Sequence, residues 1–238
     1  MKNEFDQTIG LELKNWKPPQ AVQVASETQN LEGKYCKLVK LEAQHAPLLM
    51  KAFDKTEGSL WTFLPYGPFT VLSDYENWIA SLNSNERQTA FAYLIQSKDD
   101  QALGLCSYLR MSPNAASIEI GNLSFSPQLQ KTPAATEVIF LMIDAIFKLG
   151  YRRCEWKCND LNSPSISAAK RYGFTYEGTF RQAMVVKSHN RDTAWFSIMD
   201  NEWEELRPCF VEWLADDNFD EYGQQIKRLS EATKKVND

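Results

Sequence analysis

The stretch from Gln130 to Gly150 contains the residues best suited to holding a phosphate group. A long helix is predicted here because apolar residues recur at spacings of three and four and share one face. Thr132 is a good N-cap, Pro133 suits the first helical position, and Gly150 can take the left-handed position after the last turn. These three residues mark the ends of the predicted helix.

The first turn of this helix carries no acidic residue, although helices commonly place Asp or Glu there. The first acid is Glu137, and Gln130 and Lys131 come just before the cap. Free backbone N–H groups at such an end form a site for an anion. Two interpretations are open at this point: a phosphate site, or an ordinary core helix with a small, neutral first turn.

Length and composition limit the class of protein. The 238 residues, 43% hydrophobic and 12% aromatic, can bury a sizeable core as one domain with appended terminal segments. The net charge of −5 argues against binding to nucleic acid or to an anionic membrane. The N-terminus lacks an apolar signal segment, and the most apolar run, Val138 to Phe147, is too short to cross a bilayer. We therefore expect a cytoplasmic protein.

The cysteines also indicate a cytoplasmic protein. The five of them, at positions 36, 106, 154, 158 and 209, form no close-spaced pair, which fits reduced thiols better than a disulfide framework. Neither histidine lies near Cys154 or Cys158 in the sequence. We therefore expect no zinc site and no other bound metal.

The remaining elements give an α/β (α+β) pattern. Residues 1–34 are predicted to be an irregular lead-in packed on the core, residues 35–203 the main domain, and residues 204–238 a helical extension. Besides the capped helix, helices are predicted at 45–55, 73–84 and 164–172, and strands at 35–41, 90–97, 102–111, 117–125, 153–158, 174–187 and 191–199. The last two strands form a hairpin around His189 and Asn190. Gly121, within a strand, indicates a bulge or a close backbone approach.

Strand 117–125, the capped helix and strand 153–158 form a βαβ unit, whose right-handed crossover requires parallel strands. We therefore predict a mixed, mostly antiparallel sheet with one parallel βαβ crossing and helices on both faces. Ligands bind beyond the carboxyl ends of parallel strands, which is where the capped helix begins. The stretch from Leu60 to Phe69 combines aromatic residues with Pro and Gly, and we interpret it both as a lid on the core and as a wall of a pocket.

Several motifs occur in a characteristic order: strand 118–125, Ser126-Pro127, Gln130-x-x-Pro133-x-Ala135, Asn162-x-x-Ser165 and Gly173-Phe174. The chain resembles the GNAT superfamily of acyl-CoA-dependent N-acetyltransferases over roughly residues 33–203. The branch that it resembles is the Rim type, which includes acetyltransferases of ribosomal-protein N-termini. The resemblance implies acetyl-CoA as co-substrate, without a metal, and a primary amine as acceptor, either a protein N-terminus or a small molecule. The alternative is a catalytically degenerate acyl-CoA-binding sensor or scaffold.

In that family the pyrophosphate of coenzyme A rests on backbone N–H groups of a Gln/Arg-x-x-Gly-x-Gly/Ala turn. The resemblance implies a cofactor site made of Phe125, Ser126, Gln130, Lys131, Thr132, Ala134, Ala135, Thr136, Asn162 and, from a basic cluster, Arg171. Pro133 stands where the family has Gly, which removes one N–H donor. Asn162 also has a plain structural interpretation, as a polar residue beside a helix start that Ser163 can cap.

Acetyl transfer needs a neutral amine and a proton for the departing thiolate. Many family members place a Tyr four residues after this serine to supply that proton, but the position is Ala169 here, so the resemblance implies Ser165 as the substitute acid. Glu119 is the candidate base, and its alternative is a solvent-facing strand carboxylate. We expect Trp61 and Tyr66 on the acceptor side, with core packing as the alternative. The sequence does not identify the amine, and it leaves a homodimer open.

Overall fold

The structure, a computed structural model, describes residues 1–10, 12–14, 16–56, 58–83 and 90–237. Its strands form one sheet in the order β1-β2-β3-β4-β5-β6-β8-β7. The strands are β1 (Asn30–Glu32), β2 (Cys36–Lys40), β3 (Phe91–Ser97), β4 (Ala102–Ser112), β5 (Ser117–Phe125), β6 (Arg153–Asn159), β7 (Thr175–Val186) and β8 (His189–Met199). The pair β5 and β6 is parallel, and every other neighbouring pair is antiparallel. The predicted mixed sheet with one parallel βαβ crossing is confirmed.

Helices cover both faces of this sheet, as predicted. They are α1 (Ala21–Glu27), α2 (Ala46–Phe53), α3 (Leu72–Asn83), α4 (Pro133–Lys148), α5 (Ser163–Arg171), α6 (Asp200–Trp213) and α7 (Leu229–Asn237). One apolar core joins the sheet to α4, α5 and α6, and a second, on the opposite face, joins it to α2 and α3. The predicted helix 73–84 corresponds to α3, and its expected last residue, Ser84, lies outside the described residues. No helix in the described ranges is long and apolar enough to cross a membrane.

The ends of the chain differ from expectation. The lead-in, predicted to be irregular, contains α1 and the edge strand β1, which are too short to give a periodic signal. The boundary expected after residue 203 falls inside α6. Trp203, Leu206 and Phe210 recur at spacings of three and four and are buried in the same core as the sheet. The C-terminal helices are therefore continuous with the main core.

The turn between β7 and β8 also differs from expectation. Val186 pairs with His189, so the two-residue loop is Lys187-Ser188, and His189 and Asn190 belong to β8. Both loop residues have positive φ, which matches the twist of a tight hairpin. The sequence signal was weak because such loops usually carry Asn or Gly at these positions.

Candidate active site

The parallel strands β5 and β6 are paired only over their first halves. Their register runs from Ser117 opposite Arg153 to Ile120 opposite Trp156. Beyond that point β5 stays with β4 and β6 stays with β8. The two strands therefore part and leave unpaired edges facing each other, which we call the cleft. Both following helices, α4 and α5, begin beyond the carboxyl ends of these strands, where α/β proteins bind ligands.

A bulge in β5 lies where the strands part. Leu105 pairs with Ser124 and Ser107 with Gly121, so three steps along β5 oppose two along β4. Asn122 within it has a φ of 51°. A Cβ at Gly121 would lie 2.5 Å from the Leu109 side chain, so a larger residue would have to displace that leucine. The bulge and the close approach predicted at Gly121 are both present.

Helix α4 begins as the sequence predicts. Thr132 is the N-cap, and its hydroxyl accepts the Ala135 N–H at 3.2 Å. Pro133 is the first helical residue, the first turn carries no acid, and Gly150 has a φ of 87°. The positive end of the helix dipole is thus left without a protein carboxylate in its own first turn.

Hydrogen bonds within the turn just before α4 leave fewer backbone N–H groups free for an anion than expected. The Thr132 N–H donates to the Leu129 carbonyl at 3.3 Å, and the Ala135 N–H is taken by the cap. These two backbone groups were expected to face the pyrophosphate, but capping the helix and closing the turn engage them first. The Lys131 and Ala134 N–H groups remain for a ligand, and Lys131 has a left-handed φ of 62°.

The neighbouring cofactor candidates shape this turn. The Gln130 side-chain amide donates to the Phe125 carbonyl at 2.8 Å, which ties the turn to the end of β5. Ser126 is fully buried, its N–H donates to the Leu103 carbonyl, and its hydroxyl has no partner among the described residues. The Gln130 side chain and the Ser126 backbone therefore hold the turn in place at the end of β5.

Glu137, the first acid of α4, has a structural task that the sequence did not reveal. Its buried carboxylate accepts the backbone N–H groups of Lys34, Tyr35 and Cys36 at 2.6 to 2.9 Å. A Cβ at Gly33 would collide with this carboxylate. The negative charge is therefore directed at the chain entering β2, away from residues 130–132 before α4.

Arg171, at the end of α5, lies beside the first turns of α4. Its Nη1 donates to the Thr136 hydroxyl at 3.0 Å. The guanidinium lies over the rings of Tyr172 and Trp213, 5.1 and 4.8 Å from their centroids. Trp213 comes from α6, so a helix whose role the sequence left open orients the Arg171 guanidinium beside the start of α4.

Asn162 is the N-cap of α5, and its Oδ1 accepts the Ser165 N–H at 3.2 Å. The expectation that Ser163 caps this helix is wrong, because Ser163 is already its first residue. Both residues are polar and adjacent, so sequence alone does not separate them. The capping bond uses the Asn162 carbonyl oxygen and leaves its NH₂ group for a ligand.

Ser165 lies in the first turn of α5, and its Oγ accepts the indole N–H of Trp156 at 3.0 Å. That bond occupies a lone pair, so the hydroxyl proton is free to be donated elsewhere. The Cys158 thiol lies nearby; burial raises its pKa, which keeps it neutral and a weak acceptor. Ala169, four residues on, is fully buried and offers no polar group.

Glu119 is buried, with 4% of its surface exposed, so the alternative of a solvent-facing carboxylate is wrong. Its Oε2 contacts Arg110 and lies 3.2 Å from Lys157 Nζ. Burial raises the pKa of this carboxyl, and the two cations only partly oppose that effect. A buried carboxylate with a raised pKa is better matched to accepting a proton near neutral pH.

These contacts extend into a chain of ion pairs on the sheet face opposite α4. Its members, which we call the charged cluster, are Arg110, Glu119, Lys157, Glu155, Arg153 and Glu177. The sequence suggested no such cluster because its members come from β4, β5, β6 and β7, which meet only in the folded sheet.

The two residues expected on the acceptor side, Trp61 and Tyr66, have different surroundings in the structure. Trp61 is 6% exposed, and its ring packs edge-on against the rings of Phe53, Tyr66, Phe69 and Tyr75. For Trp61 the core-packing alternative therefore describes the side chain. The Tyr66 hydroxyl donates to Asn122 Oδ1 at 2.9 Å and so reaches the bulge beside the cleft.

The described residues contain no group of three or more side chains suited to a metal ion. All five cysteines are free thiols.

Comparison with known proteins identifies the family. The family model described as "Acetyltransferase (GNAT) domain" matches residues 37–175. A GCN5-related N-acetyltransferase from Brucella melitensis, known from its crystal structure, is 38% identical; the match covers 93% of this chain and all of that one, with a TM-score of 0.87. An uncharacterised N-acetyltransferase, p20, from Bacillus licheniformis is 26% identical over 169 residues, 70% of this chain and 93% of that protein.

A third relative shares the fold at lower identity. It is the Salmonella typhimurium acetyltransferase that modifies the N-terminal serine of ribosomal protein L7/L12, which is 21% identical with a TM-score of 0.63 over 70% of this chain and 96% of that one. The family match covers more than half of the chain, and the fold agrees with that of the Brucella melitensis N-acetyltransferase. The chain belongs to the GNAT family of N-acetyltransferases.

Proposed function

We propose that the protein transfers the acetyl group of acetyl-CoA directly to a primary amine, either a protein N-terminus or a small molecule. The observation that carries this proposal is the start of α4 beside the cleft, where a capped first turn without acid faces the point at which β5 and β6 part. Backbone N–H groups and the helix dipole stabilise a pyrophosphate at such a place. Arg171 adds a cation beside the same turns.

In the proposed reaction the amine nitrogen attacks the thioester carbonyl carbon and the C–S bond breaks. The amine nitrogen must lose a proton, and the departing thiolate sulfur must gain one. Glu119 accepts the proton from the amine, directly or through water, because its raised pKa makes it a stronger base than an exposed carboxylate. Ser165 donates its hydroxyl proton to the departing sulfur and regains a proton from solvent. The N-terminus of α5 also stabilises negative charge that develops on that sulfur.

The five free cysteines support a reducing compartment such as the cytoplasm as the place of this reaction. A degenerate acyl-CoA-binding protein is the second candidate, and two departures from the family pattern favour it: Pro133 removes an N–H donor and Ala169 offers no hydroxyl. Both candidate proteins would bind the cofactor, but only the acetyltransferase would turn it over.

Coenzyme A is expected to raise the thermal midpoint of the protein by about 5–10 °C when its concentration is a hundred times its dissociation constant. A ligand that binds only the folded state then adds about 2.7 kcal/mol, and each kcal/mol shifts a chain of this size by about 2–4 °C. The measurement is a melting curve with and without millimolar coenzyme A. No shift would contradict cofactor binding, whereas a shift without release of free thiol in the presence of any amine would favour the degenerate alternative.

Replacing Ser165 with Ala is expected to lower kcat by roughly tenfold while leaving the Kd for coenzyme A nearly unchanged. A general acid contributes about a hundredfold or more, but a thiolate is a good leaving group, so we expect an effect below that range. The helix-dipole contribution survives in the variant. Thiol release at saturating acetyl-CoA measures kcat, and calorimetry measures the Kd.

Ser165→Thr is the matched control, because it keeps a hydroxyl at this position. Unchanged turnover of Ser165→Ala would rule out the acid role. A collapse of coenzyme A affinity with normal turnover would make Ser165 a binding residue. Loss of the bond from Trp156 leaves an indole N–H unpaired, so the thermal midpoint of each variant has to be measured alongside.

A further inference from the structure

Three polar side-chain atoms on one face of β8 are buried without a hydrogen-bond partner among the described residues: Arg191 Nε, Thr193 Oγ1 and Trp195 Nε1. Alternate residues of a strand point to the same side of the sheet. Strand β8 runs in continuous register with β6 from Thr193 to Met199, and Arg191 lies two residues before this paired stretch. We call these three residues the donor row. Thr193 is 5% exposed, so its hydroxyl is shut off from bulk solvent.

The donor row lies on the same face as the charged cluster. Trp195 pairs with Lys157 across the strands, and Lys157 Nζ lies 3.6 Å from the centroid of the Trp195 ring. Lys157 in turn lies 3.2 Å from Glu119. Helix α4 packs against the opposite face, through Ile118, Ile120 and Trp156. The row therefore adjoins the proposed base and is on the other side of the sheet from the helix that is proposed to hold the cofactor phosphates.

The chemistry of the row is that of a donor surface. The Arg191 Nε–H and the indole N–H of Trp195 can only donate, and the Thr193 hydroxyl can donate as well as accept. Buried polar atoms are almost always paired in folded proteins, because an unpaired one loses its bonds to water without replacement. Three unpaired polar side-chain atoms on alternate residues of one strand therefore indicate a binding partner that carries acceptor oxygens.

The balance of charge indicates that this partner is anionic. The charged cluster and the donor row together hold the cations Arg110, Arg153, Lys157 and Arg191 against the carboxylates Glu119, Glu155 and Glu177. Of these four cations, Arg191 is the one for which the described residues provide no ion pair. Burial lowers its pKa; Glu119 and Cys158 raise it, and Arg110 lowers it further. A water molecule could satisfy the polar atoms, but it would not balance the charge.

We propose that the donor row binds an oxyanion carried by the acceptor, so that the preferred acceptors are amines that also bear a carboxylate or a phosphate. This inference rests on the proposed function, since it assigns the row to the second substrate of the same site. A guanidinium pairs with either kind of oxyanion through parallel N–H bonds. The Thr193 hydroxyl and the Trp195 indole donate to further oxygens of the same molecule, while its amine lies near Glu119.

The test compares matched amines with acetyl-CoA. The pairs are 3-aminopropionate against propylamine and 2-aminoethyl phosphate against ethylamine, which distinguish the two kinds of oxyanion. We expect kcat/KM to favour the anionic member of at least one pair by about ten- to a hundredfold, the range for a hydrogen bond to a charged group. Equal use of the neutral member in both pairs would overturn the proposal.

Arg191→Gln is expected to remove that preference while leaving the Kd for coenzyme A nearly unchanged. Arg181→Gln is the matched control, because it removes the same charge from an exposed position on the same hairpin and should keep the preference. Thr193→Val keeps the side-chain shape and removes an unpaired buried hydroxyl. It should raise the thermal midpoint while weakening the use of anionic acceptors. A full preference in Arg191→Gln would overturn the assignment.

A binding measurement separates this inference from the proposed function. The protein saturated with coenzyme A is titrated with inorganic phosphate and with malonate, for the wild type and for Arg191→Gln. Binding that depends on Arg191 without acetylation of any amine would leave the oxyanion site standing and contradict the transferase proposal. Absence of both the preference and Arg191-dependent binding would overturn the site, even if neutral amines are acetylated.

Discussion

Replacing Thr132 with Asp is expected to weaken coenzyme A binding by about a hundredfold in a protein that still folds. Asp is as good an N-cap as Thr and is favourable at the positive end of a helix, so α4 should keep its start. The new carboxylate, however, would lie beside the Lys131 and Ala134 N–H groups that we propose bind the pyrophosphate. Two unit charges 4 Å apart repel by about 4 kcal/mol at an effective dielectric constant of 20. Solvent at this half-buried turn reduces the repulsion, and a hundredfold corresponds to about 2.7 kcal/mol.

The matched control is Thr132→Asn, which has nearly the shape of Asp, caps helices equally well and carries no charge. It should bind coenzyme A within a few fold of the wild type. Calorimetric titration gives the affinities, and melting curves without ligand confirm folding. Wild-type affinity in a folded Thr132→Asp variant would place the pyrophosphate away from α4.

Replacing Glu119 with Gln is expected to lower kcat by about a hundredfold to ten-thousandfold, the usual contribution of a general base. The fold should survive because Lys157 retains Glu155 as a partner and the Gln carbonyl still accepts a hydrogen bond. Glu177→Gln is the control. It removes the same charge from the far, more exposed end of the charged cluster, and Arg153 keeps Glu155 as a partner. Turnover of Glu119→Gln within threefold of the wild type would rule out the base role.

The pH profile gives an independent check of Glu119. Burial raises the pKa of this carboxyl, so kcat/KM of the wild type should fall on the acid side around a pH above the ordinary pKa of a glutamate. The Gln variant should lack this limb. The same shift affects stability: the folded state holds the proton more tightly than the unfolded state. The free energy of unfolding therefore decreases as the pH rises from the ordinary pKa through the raised one.

The sequence predicted those parts of the site that depend on neighbours along the chain. Helix α4 is the clearest case, because Thr132, Pro133 and Gly150 act through the backbone within one turn of themselves. The bulge at Gly121 and the parallel unit around α4 also follow from local signals and from the handedness of the crossover. The family resemblance rests on these same elements.

The sequence did not predict features that depend on contacts between residues far apart in the chain. Glu119 alternates with the apolar residues Ile118 and Ile120, a pattern typical of a half-exposed strand, yet Arg110 and Lys157 from two other strands bury it. Trp61 lies in an irregular loop that is expected at the surface, but four aromatic rings enclose it, two from the same loop and two from α2 and α3. The donor row left no signal, because a missing partner becomes visible only when every neighbour is known.

The stacking of Arg171 on Trp213 determines when, during synthesis on the ribosome, the surroundings of this cation are complete. The turn before α4 and Arg171 itself leave the ribosome before α6 does, since chains are made from the N-terminus and domains form as units. Until Trp213 is present, the cation beside Thr136 lacks the ring over which it lies. Coenzyme A should therefore gain its full affinity only after α6 has docked. The cofactor would then preferentially stabilise finished molecules over nascent ones, and a cellular pool of coenzyme A would select for completed folding.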